Sequence, residues 1–206
     1  MAVSVVVGVA VGVISGLATW WITARAITTK IKLSEEISKL PDSSGVTPWL
    51  YRVKVLNVRR PWLPDAPLVD VGVTASLRIR GLREQLPETW IRIRIPVGGD
   101  RELPLVGRNR VLRLNAHVID EKYAVLLPPP LLDAWKERRL ALDDLFALGS
   151  GARLELVIGA SHSYTQARST VVATYLPENV KDGGFASGGL TIHPGTSDLE
   201  ELDADP

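Results

Sequence analysis

The chain has 206 residues, 46% of them hydrophobic and 23% charged, which excludes wholesale disorder and allows one ordinary domain with an extra segment. The formal charge is +1 and there is no cysteine, so a disulfide framework, a thiolate metal site and a cysteine nucleophile are all excluded. The charge is uneven: residues 194–206 carry Asp198, Glu200, Glu201, Asp203 and Asp205 with no base, leaving 24 basic against 18 acidic residues elsewhere (23 less these five). A mildly basic body with an acidic tail suits solubility and does not by itself point to nucleic acid.

Residues 2–22 form an uncharged, mostly apolar run. As a helix it would extend about 31 Å, the thickness of a bilayer's hydrocarbon core. The run is longer than the apolar centre of a signal peptide, and no Lys or Arg precedes it. Ala24-Arg25-Ala26 does have the small-x-small form that a signal peptidase accepts. The expectation is an uncleaved transmembrane helix over 1–29, contacting membrane lipid through residues 2–22. Arg25, Lys30 and Lys32 follow the run, which places the C-terminal side in the cytoplasm. Trp20 and Trp21 stand where an interfacial aromatic belt would lie. Within the run, Gly8, Gly12 and Gly16 recur at every fourth position and form one small-residue stripe. In lipid, close backbone approach has to replace the hydrophobic drive, so this stripe is the expected surface for helix pairing and a homo-oligomer.

Beyond Lys30 the hydrophobic period falls to two. "WLYRVKVLNV", "VDVGVTASLRIRG", "WIRIRIPV", "RVLRLNAHVI", "ARLELVIGA" and "ARSTVVATYL" read as strands, with "KIKLSEEI" and "GGLTIH" as shorter additions. The second segment is expected to turn Val69, Val71, Val73, Ala75, Leu77 and Ile79 to one face. Two helical pieces interrupt the series: "PPPLLDAWKERRL", with Leu131, Leu132 and Trp135 in helical register, and "ALDDLFALGSG", with Leu142, Leu145 and Phe146. Gly149 is placed as a helix C-cap and Pro128 to Pro130 as a rigid connector. Seven or eight antiparallel strands with two short helices predict a mainly β fold, a sandwich over residues 30–193, with 194–206 as a disordered acidic tail.

"YRVKVLNV" followed by "APLVDVGVTASLRI" resembles the opening strands of bacterial immunoglobulin-like accessory domains of the adhesion-related CARDB type. There an alternating strand ends in Asn, and the next begins after an A-x-x-V-x-V run. The resemblance implies an Ig-like β-sandwich and no catalytic residue. The chain departs from it where "RRPWLPDAPL" replaces a short glycine-containing turn.

His117 falls in a strand pattern, His162 in the hairpin "GASHSYTQARS" and His193 at the edge of the tail, with no metal-ligand spacing among them. Neither a metal nor a cofactor is expected. Ser161-His162-Ser163 invites a hydrolase reading, but neighbours in an extended chain point to opposite faces. Asp143 and Asp144 open a helix, where acids offset its dipole. "VGGD" and "GSGA" read as turns. The surface feature with character is basic: Arg78, Arg80, Arg92, Arg94, Arg108 and Arg110, with Arg113 beside them, make a candidate face for anionic groups. Its bland counterpart is a solvated face whose Arg stems cover apolar surface. Without aromatics between the bases it is a poor nucleic-acid platform. The functional expectation is a non-catalytic binding or scaffolding domain held near the membrane and meeting an unknown protein partner. The alternatives are an exported or outward-facing sandwich that binds a ligand or a cell-envelope component, and a hydrolase built on His162.

Overall fold

A computed structural model of the chain describes residues 8, 11–21, 30–43, 45–58, 67–82, 88–98, 102–106, 109–163, 167–186 and 189–194. Helix α1 spans residues 11–21, about 16 Å at 1.5 Å per residue. Among the described residues no helix is long and apolar enough to cross a membrane. The expected 2–22 span is thus seen in part: residues 2–7, 9, 10 and 22 lie outside the described residues, as do 195–206 of the expected tail.

The body is mainly β. One sheet has the order β11(Val180–Asp182), β2(Ile37–Pro41), β3(Trp49–Val58), β8(Asn109–Leu114), β6(Val97–Gly98), and β1(Lys30–Leu33) also pairs with β3. The other has the order β10(Arg168–Tyr175), β9(Ser150–His162), β4(Leu68–Arg80), β5(Trp90–Ile95), and β7(Glu102–Val106) also pairs with β4. These are sheets A and B. The pairings are antiparallel apart from β11 on β2, which is parallel because the chain crosses between the sheets after Tyr175 before joining β2. A small third sheet joins β12(Gly184–Phe185) to β13(Ile192–His193).

One buried cluster takes side chains from both sheets. From sheet A come Tyr51, Val53, Val55, Leu112 and Leu114; from sheet B come Leu77, Ile79, Ile93, Ile95, Leu154, Leu156 and Ile158. Period-two alternation puts each set on one face, and burial at about 25 cal/mol per Å2 of apolar surface drives the two faces together. Near the start of β4 the expected alternation breaks. Asp70 adopts φ +51°, and the register with β9 slips between Val69 and Gly72. The extra residue reverses the parity, so Leu68 rather than Val69 is fully buried alongside Val71.

Local chemistry explains why there are more strands than expected. Ser34 divides β1 from β2 on the same edge of β3: its N–H bonds to the Lys54 carbonyl and its Oγ donates to the Glu36 carbonyl. The Tyr175 hydroxyl donates to the Ser34 carbonyl at 2.8 Å, tying β10 of sheet B to this bulge in sheet A. "WIRIRIPV" splits at Pro96, which cannot donate to a ladder, and the chain passes from β5 in sheet B to β6 in sheet A. "VGGD" accordingly starts inside β6 rather than in a turn.

The helical pieces follow β8. "RVLRLNAHVI" ends as a strand at Leu114, and His117 lies in a short 3-10 turn, Ala116–Val118, not in a strand. After α2(Glu121–Ala124) comes α3(Pro129–Lys136). Its first turn contains Pro129 and Pro130, where a missing N–H costs nothing, so the proline triplet opens a helix rather than forming a connector. Trp135 Nε1 donates to the Ile119 carbonyl, and α4(Leu142–Phe146) buries Leu142, Leu145 and Phe146.

Candidate functional site: an arginine face on sheet B

The outward positions of sheet B are read by alternation against the buried ones. On β5 they are Trp90, Arg92 and Arg94; on β4 Ser76, Arg78 and Arg80; on β9 Arg153 and Glu155. Register lines them up in rows. Arg92 is directly opposite Arg78, and Arg78 is directly opposite Arg153 on its other side. Arg94 is opposite Ser76, which is opposite Glu155; Trp90 is opposite Arg80. Three like charges in one row across adjacent strands oppose sheet formation, since directly opposed like charges are destabilising.

Two acids relieve part of this charge. Arg78 pairs with Glu155 at 2.8 Å, and Arg80 pairs with Glu88. The Arg153 guanidinium stacks over the Trp90 ring, 5.0 Å from its centroid. The Nε atoms of Arg78 and Arg153 are buried beneath the face with no hydrogen-bond partner. Arg92 and Arg94 are exposed and make no ion pair with the described residues. The result is a flat face of five arginines against two glutamates, bordered by an aromatic ring. Chemically, it can take carboxylates or phosphates through forked, charge-assisted hydrogen bonds.

The structure therefore brings Arg78, Arg80, Arg92 and Arg94 together and adds Arg153, which the sequence reading missed because "ARLELVIGA" was read only for its core alternation. Arg110 does not join them. It lies on β8 in sheet A, opposite Val55, as does Arg113, opposite Arg52. Chain proximity suggested one face, but β7 still belongs to sheet B and β8 to sheet A, so the chain changes sheets between Val106 and Asn109. Arg108 lies outside the described residues.

Sheet A offers a different picture. Arg52 and Lys54 alternate with the core residues of β3, a pattern that by itself turns them to solvent, yet they are only 5% and 1% exposed. The segment after β11 folds over Lys54: its Nζ donates to the Ala186 carbonyl at 3.0 Å and lies 5.8 Å from the Phe185 ring centroid, while Ser38 Oγ donates to the Gly183 carbonyl. Asp143 has a larger role than offsetting a helix dipole. Its Oδ2 accepts from Lys39 Nζ at 2.6 Å and from the Tyr51 hydroxyl at 3.0 Å, clamping α4 to β2 and β3. Burial, then the Asp143 charge, raises the Tyr51 phenol well above its ordinary pKa. Asp144 accepts from the Ala141 N–H, closing the first turn of α4.

Among the described residues no group of three or more His, Asp or Glu could hold a metal ion. His117 is half-buried, and its pKa is lowered by burial and secondly by Arg138, with Asp42 opposing. The backbone of His162 pairs with Leu68 at the end of β9; its side chain lies outside the described residues. His193 is exposed in β13. Among the described residues, nothing outside their own helix lies within 4 Å of where a Cβ would stand at Gly8, Gly12 or Gly16.

Compared with known families and curated sequences, the chain matches no family model and no curated protein.

Proposed function

We propose that the chain is a single-pass membrane protein whose Ig-like sandwich is a non-catalytic binding domain, with the arginine face of sheet B receiving an acidic protein partner on the cytoplasmic side. The observation that carries the reading is the row Arg92–Arg78–Arg153, like charges directly opposed across three strands, which the Glu155 pair relieves only at Arg78 and which an anionic partner would relieve further. Support for the Ig-like reading is topological: the neighbours β2-β3-β8 in one sheet and β10-β9-β4-β5 in the other follow the order of such sandwiches. The anchor reading is supported by α1. Val11, Val13, Ile14, Leu17, Trp20 and Trp21 are each more than half exposed, an apolar surface that water does not favour and that lipid or a second helix would cover.

An acidic protein is a better fit than lipid headgroups. Arg78 lies ten residues along β4 from Leu68, about 33 Å at 3.3 Å per residue. The chain enters the sandwich at Lys30, on the Leu68 side of the Ser34–Tyr175 bond. Ser34, four residues further on, meets Tyr175 at the level of Leu77, so this entry point lies about 13 Å along the strands from Arg78, more than one Debye length of about 8 Å. The test uses the full chain in neutral-lipid nanodiscs and a fluorescent oligoglutamate peptide as probe. Arg92→Glu with Arg94→Glu is expected to weaken binding by about tenfold or more, roughly 1.4 kcal/mol, and salt to weaken it further. Equal binding by the double variant, or binding of phosphatidylserine vesicles where no peptide binds, sinks the proposal.

A further inference from the structure

On the flank away from β5, the edge strands of the two sheets approach each other. Between β1 and β10 runs a groove of about 850 Å3, lined by Ile31, Leu33, Val171, Ala173 and Tyr175 with Leu190 beyond them. That is within the roughly 300–1,000 Å3 of ordinary ligand sites. Its chemistry points to a strand rather than a small molecule. Among the described residues β10 pairs with β9 alone and β1 with β3 alone. The outward backbone groups of Thr170 to Thr174 consequently meet no strand among the described residues. Folded proteins usually blunt such an edge with a lysine, a proline or a bulge. From Ser169 to Tyr175 there is none of these, and the register with β9 is unbroken.

Side chains repeat the message. Val171 and Ala173, opposite the buried Ile158 and Leu156, point into the groove and are half-buried, whereas Val172 points away and is 60% exposed. Small apolar positions alternating along an unpaired edge are what the side chains of an added strand fill. The Ser34–Tyr175 hydrogen bond closes one end, where the groove's charged lining is Glu35 and Glu36 against Lys32, net negative.

We propose that the β10 edge docks an extended segment of a different protein as an extra strand of sheet B. The segment carries apolar side chains at alternate positions and a basic residue beside Glu35 and Glu36. A second copy fits less well. Antiparallel pairing of β10 with itself about Val172 sends the two Lys30 entry points in opposite directions, against the common anchoring proposed above. The site is separate from the arginine face, so each can fail alone.

The test pans a random-peptide display library on the full chain in nanodiscs, then measures binding and hydrogen exchange with the enriched peptides. Enriched peptides should alternate apolar residues, slow amide exchange across Thr170 to Thr174, and lose more than about tenfold in affinity in Val171→Lys and Val172→Lys, because an ammonium in a strand–strand contact must be desolvated. Val172 is exposed, so its variant keeps the fold, which circular dichroism verifies; Arg92→Glu with Arg94→Glu should leave this binding unchanged. The proposal is overturned if no peptide is enriched, if protection falls elsewhere, or if Val172→Lys only dissociates a dimer of the chain.

Discussion

Gly149 joins α4 to β9 with φ +62°, and a Cβ there would stand 2.2 Å from the Arg80 carbonyl oxygen and 2.8 Å from Ile79 Cγ2. Real Cβ atoms essentially never approach closer than 3.0 Å, so Gly149→Ala forces the Arg80 carbonyl back by about 0.8 Å (3.0 less 2.2). Gly45 provides the control: φ is +69°, but nothing lies within 4 Å of a Cβ. Alanine at Gly45 meets only the left-handed penalty of about 1–2 kcal/mol, offset by about 0.4–1 kcal/mol through the unfolded chain. At Gly149 the displaced backbone adds about 1–3 kcal/mol, for a net loss of about 2–4 kcal/mol. At roughly 2–4 °C per kcal/mol for a chain of this size, Gly149→Ala should melt about 10 °C lower and Gly45→Ala within about 4 °C of the parent. Scanning calorimetry of both variants in the same detergent decides it. Equal losses would refute the reasoning, because the close approach to β4 would then carry no energy.

Tyr175→Phe leaves the Ser34 carbonyl without its 2.8 Å donor in a buried setting, and the urea midpoint should fall by about 1–3 kcal/mol in stability; an unchanged midpoint removes the inter-sheet bond from the account. His117 is held below its usual pKa of 6.5, so between the folded and unfolded values the unfolded chain binds more protons. Stability should therefore fall as pH drops through 6.5 and reach its floor below the folded value, and His117→Gln should flatten that slope in denaturation curves at pH above and below this window. Gly12→Ile should weaken self-association in a membrane two-hybrid assay; since among the described residues nothing beyond its own helix lies within 4 Å of a Cβ there, an unchanged signal discards the glycine stripe as a pairing surface.

Much of the fold was legible because two periods carry it. β3 occupies the whole of "WLYRVKVLNV", and Leu142, Leu145 and Phe146 are buried as their helical spacing requires. Of the candidate site, Arg78, Arg80, Arg92 and Arg94 could be placed on strand exteriors from alternation alone. Other features rest on contacts between distant residues and leave no local trace. Arg153 reaches the face only through register, 75 positions from Arg78. Arg110 leaves it because the chain changes sheets again between β7 and β8. Lys54 reads as a solvent-facing base until Ala186, 132 residues later, accepts its proton donor. The parity of β4 at Leu68 turns on one residue, Asp70, in a left-handed conformation that Asp adopts without announcing it.

By itself, then, the order of residues determined which stretches extend, which coil, where an apolar run precedes the body, and which side of each strand seeks a core. Those are short-range consequences of side-chain period and backbone sterics. Only the folded chain decided which strands became neighbours, and with that the row of opposed arginines, the covered lysine and the groove between β1 and β10. Pairing is a matter of register between segments far apart in the chain, and a slip of one residue turns every side chain to the opposite face.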